Sequence, residues 1–148
     1  MKKLIIASTS TIHNSRFLEY LLPVLREHFA EVSELIFIPY ARPGGVSHDQ
    51  YTTKVKEVFS KLNISVKGIH EFDSPKNAIR AAQGIFVGGG NTFVLVNELY
   101  KNDLMSDIFN RVDEGIPYLG TSAGSNICGL TMCTTNDMPI IYPPSFKT

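Results

Sequence analysis

The chain has 148 residues, 43% of them hydrophobic and 19% charged, which is enough for one domain with one buried core and too short for two. Fourteen Lys and Arg balance fourteen Asp and Glu, so no overall field draws in nucleic acid or an acidic membrane surface. The apolar content argues against disorder, and no apolar run reaches the ~18 residues of a membrane span.

At the start of the chain, Leu4-Ile5-Ile6-Ala7 follows two lysines and ends at Ser8-Thr9-Ser10-Thr11. Four apolar residues fall short of the about 7–15 of a secretory h-region, so the segment reads as a first strand and the protein as cytoplasmic. Similar runs without alternation recur at Leu35-Ile36-Phe37-Ile38, Ile85-Phe86-Val87 and Ile116-Pro117-Tyr118-Leu119. Such runs suit strands covered on both faces, as in a parallel sheet.

Helical spacing fills the intervals: Phe17, Leu18, Leu21, Leu22 and Leu25, then Tyr51, Val55, Val58, Phe59 and Leu62. It continues with Phe93, Val94, Val96 and Leu99, and with Leu104, Ile108 and Val112. A short strand near Val66 to Ile69 and a helix from Ser74 to Ala82, with Pro75 at its first position, complete the series. The pattern predicts an α/β fold, a mostly parallel sheet flanked by helices, as a single domain over residues 1–148. After Leu130 no closing helix or strand is legible, and the domain reads as incomplete at its C-terminus. Cys128 and Cys133 have neither zinc-ligand spacing nor the pattern of a disulfide framework, and read as buried free thiols.

Two glycine-rich segments carry chemistry. Gly120-Thr121-Ser122-Ala123-Gly124 follows a strand and precedes a segment able to start a helix, the context of a G-x-S-x-G nucleophile elbow. The elbow needs glycine two residues either side of the serine, because side chains there would collide with neighbouring backbone. A helix N-terminus behind the serine would favour negative charge. Gly88-Gly89-Gly90-Asn91-Thr92 follows the preceding strand, and its bared N–H groups could bind a phosphate or stabilise an oxyanion. It lacks the lysine ending of a P-loop and the spacing of a dinucleotide loop. Paired with a serine elbow at the same sheet edge, the oxyanion role is the more economical, with the Ala123 N–H as second donor.

Asp137 follows the serine and is a candidate acid, or a turn former before Pro139. All four histidines, His13, His28, His48 and His70, precede it. His28 reads as a solvated helix-end residue, whereas His13, His48 and His70 follow the first three strands at the sheet edge where sites form, and any of them could approach Ser122.

Val87-Gly88-Gly89-Gly90-Asn91-Thr92-Phe93, Gly120-Thr121-Ser122-Ala123-Gly124-Ser125-Asn126 and Thr134-Thr135-Asn136-Asp137-Met138-Pro139-Ile140 resemble the motifs of peptidase E, the α-aspartyl dipeptidase family of serine peptidases. Phe37-Ile38-Pro39-Tyr40-Ala41 and Asp49-Gln50-Tyr51-Thr52 agree, so the resemblance covers essentially the whole chain. It implies a sheet related to class I glutamine amidotransferases. It also implies hydrolysis of dipeptides with N-terminal aspartate through an acyl-enzyme, with no metal or cofactor. By motif position Ser122 is the nucleophile, Asp137 a charge-relay residue, and the Gly89-Gly90 backbone with the Ala123 N–H the oxyanion hole, supported by Asn91.

Family members continue into an Asn-Pro-His segment whose histidine is the general base, and this chain ends before it, as if lacking the C-terminal third. Two alternatives follow: a non-catalytic remnant or small-anion-binding domain without the base, and a cyanophycinase-like hydrolase. The expected partner is a small Asp-Xaa peptide, with neither nucleic acid nor membrane. An unpaired sheet edge, with Ile140-Ile141-Tyr142 and the elbow partly bare, is expected to favour self-association.

Overall fold

A computed structural model describes residues 1–132, 135–141 and 143. Five strands, β1 (Lys3–Ala7), β2 (Glu34–Ile38), β3 (Ser65–Gly68), β4 (Ile85–Val87) and β5 (Pro117–Thr121), form one parallel sheet in the order β1-β5-β4-β2-β3. Six helices connect or follow them: α1 (Leu22–His28), α2 (His48–Ser60), α3 (Pro75–Ala81), α4 (Thr92–Lys101), α5 (Met105–Asp113) and α6 (Ala123–Asn126).

The apolar runs are buried on both faces where strands are central. Leu35, Phe37, Phe86 and Leu119 pack with Leu25, Phe29, Val55 and Phe59 on the side of α1 and α2. Ile36, Ile38, Ile85, Val87 and Tyr118 point the other way, against Ile79, Leu95, Leu99, Leu104 and Ile108 of α3 to α5 and the turn before α5. Successive residues of one strand thus serve opposite cores, the period-2 geometry of a pleated strand. Connections β1→β2→β3 cross one face and β3→β4→β5 return over the other, as right-handed crossovers require when strand order reverses.

Local signals start several helices. Ser47 and Gln50 form a reciprocal capping box on α2, with Oγ accepting the Gln50 N–H at 3.1 Å and Oε1 accepting the Ser47 N–H at 3.0 Å. Asn91 caps α4 by accepting the Val94 N–H at 3.1 Å. The helix read from Phe17 is shorter than its spacing suggests. Leu18 lies at φ 57°, a 3-10 turn covers Glu19–Leu21, and α1 begins only at Leu22. Pro23, without an N–H to donate, is tolerated in the first helical turn and not in an interior.

Two further expectations are corrected. β1 is not covered on both faces: among the described residues it pairs with β5 alone, and Leu4 and Ile6 are 40% and 54% exposed. An edge strand read from hydrophobicity alone looks like a central one. Cys128 is exposed, because the chain reaches the surface directly after α6; Cys133 and Tyr142 lie outside the described residues. The chain end and the elbow are partly bare, as expected: Ile140 is exposed and Ser122 half-buried, while Ile141 packs on a small cluster of Phe93, Val96 and Met132, and Ala123 and Gly124 are buried. No helix among the described residues is long and apolar enough to cross a membrane.

Candidate active site

The register Val87↔Gly120 and Ala7↔Thr121 brings the chain leaving β4 alongside the chain leaving β5. Ser122 stands at that turn with φ 51° and ψ −112°. A positive φ is costly for a residue with a Cβ, of order 1–3 kcal/mol, and persists only where neighbours impose it. Here the Ser122 N–H donates to the Ala7 carbonyl at 2.9 Å, continuing the β1–β5 ladder. Its own carbonyl accepts the Ser125 and Asn126 N–H groups at 2.9 and 3.0 Å and the Ser125 hydroxyl at 2.6 Å.

The flanking glycines are there for close approach. A Cβ on Gly120 would lie 2.2 Å from the Gly124 carbonyl oxygen, and one on Gly124 would lie 2.1 Å from that of Val87. Tyr118, fully buried, donates its hydroxyl to the Gly124 carbonyl at 2.7 Å. Burial pushes its phenol well above the usual range, with the nearby Cys128 thiol adding to the effect, so it remains a donor. The Ser122 side chain is half-buried, and its Oγ has no hydrogen-bond partner among the described residues. The helix expected behind it is a single turn, Ala123–Asn126. Individual N–H groups, rather than a long helix dipole, are what this backbone offers an anion.

The glycine loop is pinned on the other side. A Cβ on Gly89 would lie 2.9 Å from Ser122 Cβ and 3.6 Å from Ser122 Oγ. Gly90 adopts φ 148°, and a Cβ there would meet the Ala41 carbonyl oxygen at 2.2 Å. That same carbonyl accepts the Asn91 N–H at 2.7 Å. One expected oxyanion donor is already engaged, because the Gly89 N–H donates to the Tyr51 hydroxyl at 3.0 Å. The N–H groups of Gly90 and Ala123 have no acceptor among the described residues.

Asp137 lies at the start of α4. Its Oδ2 accepts the Thr92 N–H at 2.7 Å and the Thr92 hydroxyl at 2.6 Å. Asn126 Nδ2 donates to Thr92 Oγ1 at 3.0 Å and Thr135 Oγ1 at 3.2 Å, and Asn91 Nδ2 donates to the Met138 carbonyl at 2.8 Å. This hydroxyl and amide knot ties the 135–138 segment to the elbow helix. Sequence reading picked out Asn91 and Asp137 but missed Thr92, Asn126 and Thr135. The local signal was Asn91-Thr92 at a helix start, since Asn126 and Asp137 lie 34 and 45 residues from Thr92 in sequence.

None of the four histidines hydrogen-bonds Ser122 or Asp137. His13 is exposed in the loop after β1. His28 is half-buried rather than solvated, with Nε2 3.1 Å from the Tyr118 carbonyl; burial lowers its pKa despite that bond. His48 and His70 lie ring to ring, with centroids 5.4 Å apart, beside Tyr40, and His70 Nε2 bonds Asp49 Oδ1 at 2.8 Å. Burial and the neighbouring His70 lower the His48 pKa. Donor atoms of Asp49, His70 and Glu71 lie within 4.8 Å of one another, the spacing of a cation site. Both Glu71 oxygens are already committed, one to Lys56 Nζ and one to the Gly68 N–H, each at 2.8 Å. The group therefore reads as a surface ion-pair cluster.

Residues 4–148 match peptidase family S51. The chain belongs to this family. Among curated relatives, the peptidase E of Shewanella amazonensis is 50% identical over 144 residues, covering 96% of this chain and 60% of the relative. That of Shewanella denitrificans is 46% identical over 140 residues, covering 95% of this chain and 59% of the relative. The chain thus spans about 60% of the length of the curated S51 relatives it matches. A solved structure assigned as a peptidase E protein from Listeria monocytogenes EGD-e superposes with a TM-score of 0.78 at 24% identity, over 99% of this chain and 73% of that one. A peptidase from an acI-B1 Actinobacterium gives 0.70 at 16% identity, over 88% and 58%. These likenesses show that the chain shares the fold of those two structures.

Proposed function

We propose that Ser122 is the nucleophile of a serine-type dipeptidase reaction that cleaves dipeptides with an N-terminal aspartate. Ser122 Oγ attacks the scissile carbonyl carbon and gives its proton to a general base. The carbonyl oxygen takes the negative charge between the Gly90 and Ala123 N–H groups. Collapse expels the C-terminal amino acid, whose amine receives the proton, and water then hydrolyses the aspartyl ester on Ser122. Each backbone donor to the oxyanion contributes on the order of 3 kcal/mol in comparable sites.

Asp137 Oδ1, the oxygen that Thr92 leaves free, is the proposed partner that orients the base. The family resemblance assigns the base to a histidine of an Asn-Pro-His segment, which this sequence does not contain. The observation that carries the reading is the strained Ser122 backbone, held at positive φ directly against the glycine loop. Release of free aspartate from an Asp-Leu dipeptide tests it: turnover that vanishes in Ser122→Ala supports the assignment, and turnover unchanged in that variant removes it.

A second reading, a non-catalytic domain that binds a small anion at the same loop, is favoured by one observation: no histidine among the described residues bonds Ser122 or Asp137. Calorimetric binding of aspartate without any turnover by the 148-residue chain would select it.

A further inference from the structure

We infer that Tyr51 is a positioning residue for the oxyanion loop, its hydroxyl locking the Gly89–Gly90 peptide so that the Gly90 N–H is the donor presented on the Ser122 side. The inference rests on the reading of Ser122 as nucleophile. Tyr51 belongs to α2, far from the elbow in sequence, and is 3% exposed. Its ring is fixed edge-on against Phe37, with centroids 4.9 Å apart, and against Phe17 at 6.2 Å. The Arg42 guanidinium lies 5.2 Å from the ring centroid. A ring held this way has little freedom to move its hydroxyl.

That hydroxyl meets the glycine loop closely enough to explain Gly88, where a Cβ would lie 2.8 Å from the Tyr51 oxygen. It accepts the Gly89 N–H at 3.0 Å and, with its own hydrogen, reaches the Gly89 carbonyl at 3.4 Å. One hydroxyl can do both, having one hydrogen and two lone pairs. The Gly89 carbonyl and the Gly90 N–H share one planar trans peptide and point in opposite directions. Holding the carbonyl toward Tyr51 therefore turns the Gly90 N–H away from Tyr51.

A pin is needed because three successive glycines lack the Cβ atoms that ordinarily exclude alternative peptide orientations. With that peptide reversed, a carbonyl dipole would occupy the place of a donor and repel the developing oxyanion. The buried hydroxyl is the one side-chain contact among the described residues that holds both polar groups of Gly89.

The test uses the 148-residue chain in two ways. Amide exchange under native conditions should find the Gly89 N–H protected and the Gly90 N–H unprotected; a Gly89 amide exchanging as fast as that of Gly90 overturns the inference without any variant. Phosphorylation by diisopropyl fluorophosphate, which joins phosphorus to Ser122 Oγ and releases fluoride and a proton, is then followed by intact mass. Tyr51→Phe should lower the maximal labelling rate by about tenfold or more with the half-saturating probe concentration and the melting temperature little changed. It should also release the Gly89 amide alone to exchange. Equal labelling rates in the two proteins overturn the role of Tyr51 and leave Ser122 in place. An unlabelled Ser122 in the unmodified chain ends both readings.

Discussion

The loops after β4 and β5 and the loops after β2 and β3 reach the same edge of the sheet but are built differently. The first pair is held by backbone against backbone: Gly120 on Gly124, Gly124 on Val87, Gly90 on Ala41, each with room for hydrogen and none for a methyl group. The second carries His48, His70, Asp49 and Tyr40, held by ring contacts and one ion pair whose aspartate side chain is 82% exposed. Placement of Ser122 is therefore over-determined by the main chain. The titratable groups of the second pair form a separate, softer cluster with no bond to it among the described residues.

The contrast breaks first at Gly124. Gly124→Ala should destabilise the chain by about 3 kcal/mol or more, because the clash is with a carbonyl of the central strand β4 and cannot be relieved by a rotamer change. His70→Gln, in the softer cluster, should cost about 1 kcal/mol or less, since it removes an exposed ion pair. Urea denaturation of the two variants checks the order, and equal losses would erase the distinction.

Strain at Ser122 gives a smaller effect of the opposite sign. Ser122→Gly should be more stable than Ser122→Ala by about 1 kcal/mol, because only glycine adopts this backbone without penalty. Both variants lack the nucleophile. Identical stabilities would mean that the elbow stores no strain.

The smallest expected effect is a pH dependence that comes from His48 in the softer cluster and from His28 at the end of α1. Burial lowers the pKa of His28 in the folded chain, and burial together with His70 lowers that of His48. Below the ordinary histidine value of about 6.5, the unfolded chain binds protons that the folded chain refuses. Stability should hold steady above that value and fall as pH drops through it, above the carboxylate range. His28→Gln should make the decline shallower, as read by melting temperature across that interval.

Local chemistry made much of this legible. Unbroken apolar runs located four of the five strands, Ser74-Pro75 and Asn91-Thr92 marked helix starts, and the spacing of Gly120, Ser122 and Gly124 announced the elbow, because each feature is settled within a few residues. What escaped was non-local. Tyr51 is 38 residues from Gly89 and Asp137 is 45 from Thr92, so neither bond has a sequence signature. The exposure of Leu4 and Ile6 depends on β1 lying at an edge, a property of strand order rather than of its own residues.

Peptide mapping of the chain after diisopropyl fluorophosphate treatment tests the central claim most directly, since it asks which hydroxyl this backbone makes reactive. The account predicts a single adduct on Ser122, absent from Ser122→Ala and slowed by an Asp-Xaa dipeptide. An adduct on the adjacent Ser125, or labelling spread over the loop serines with Ser122 spared, would contradict it.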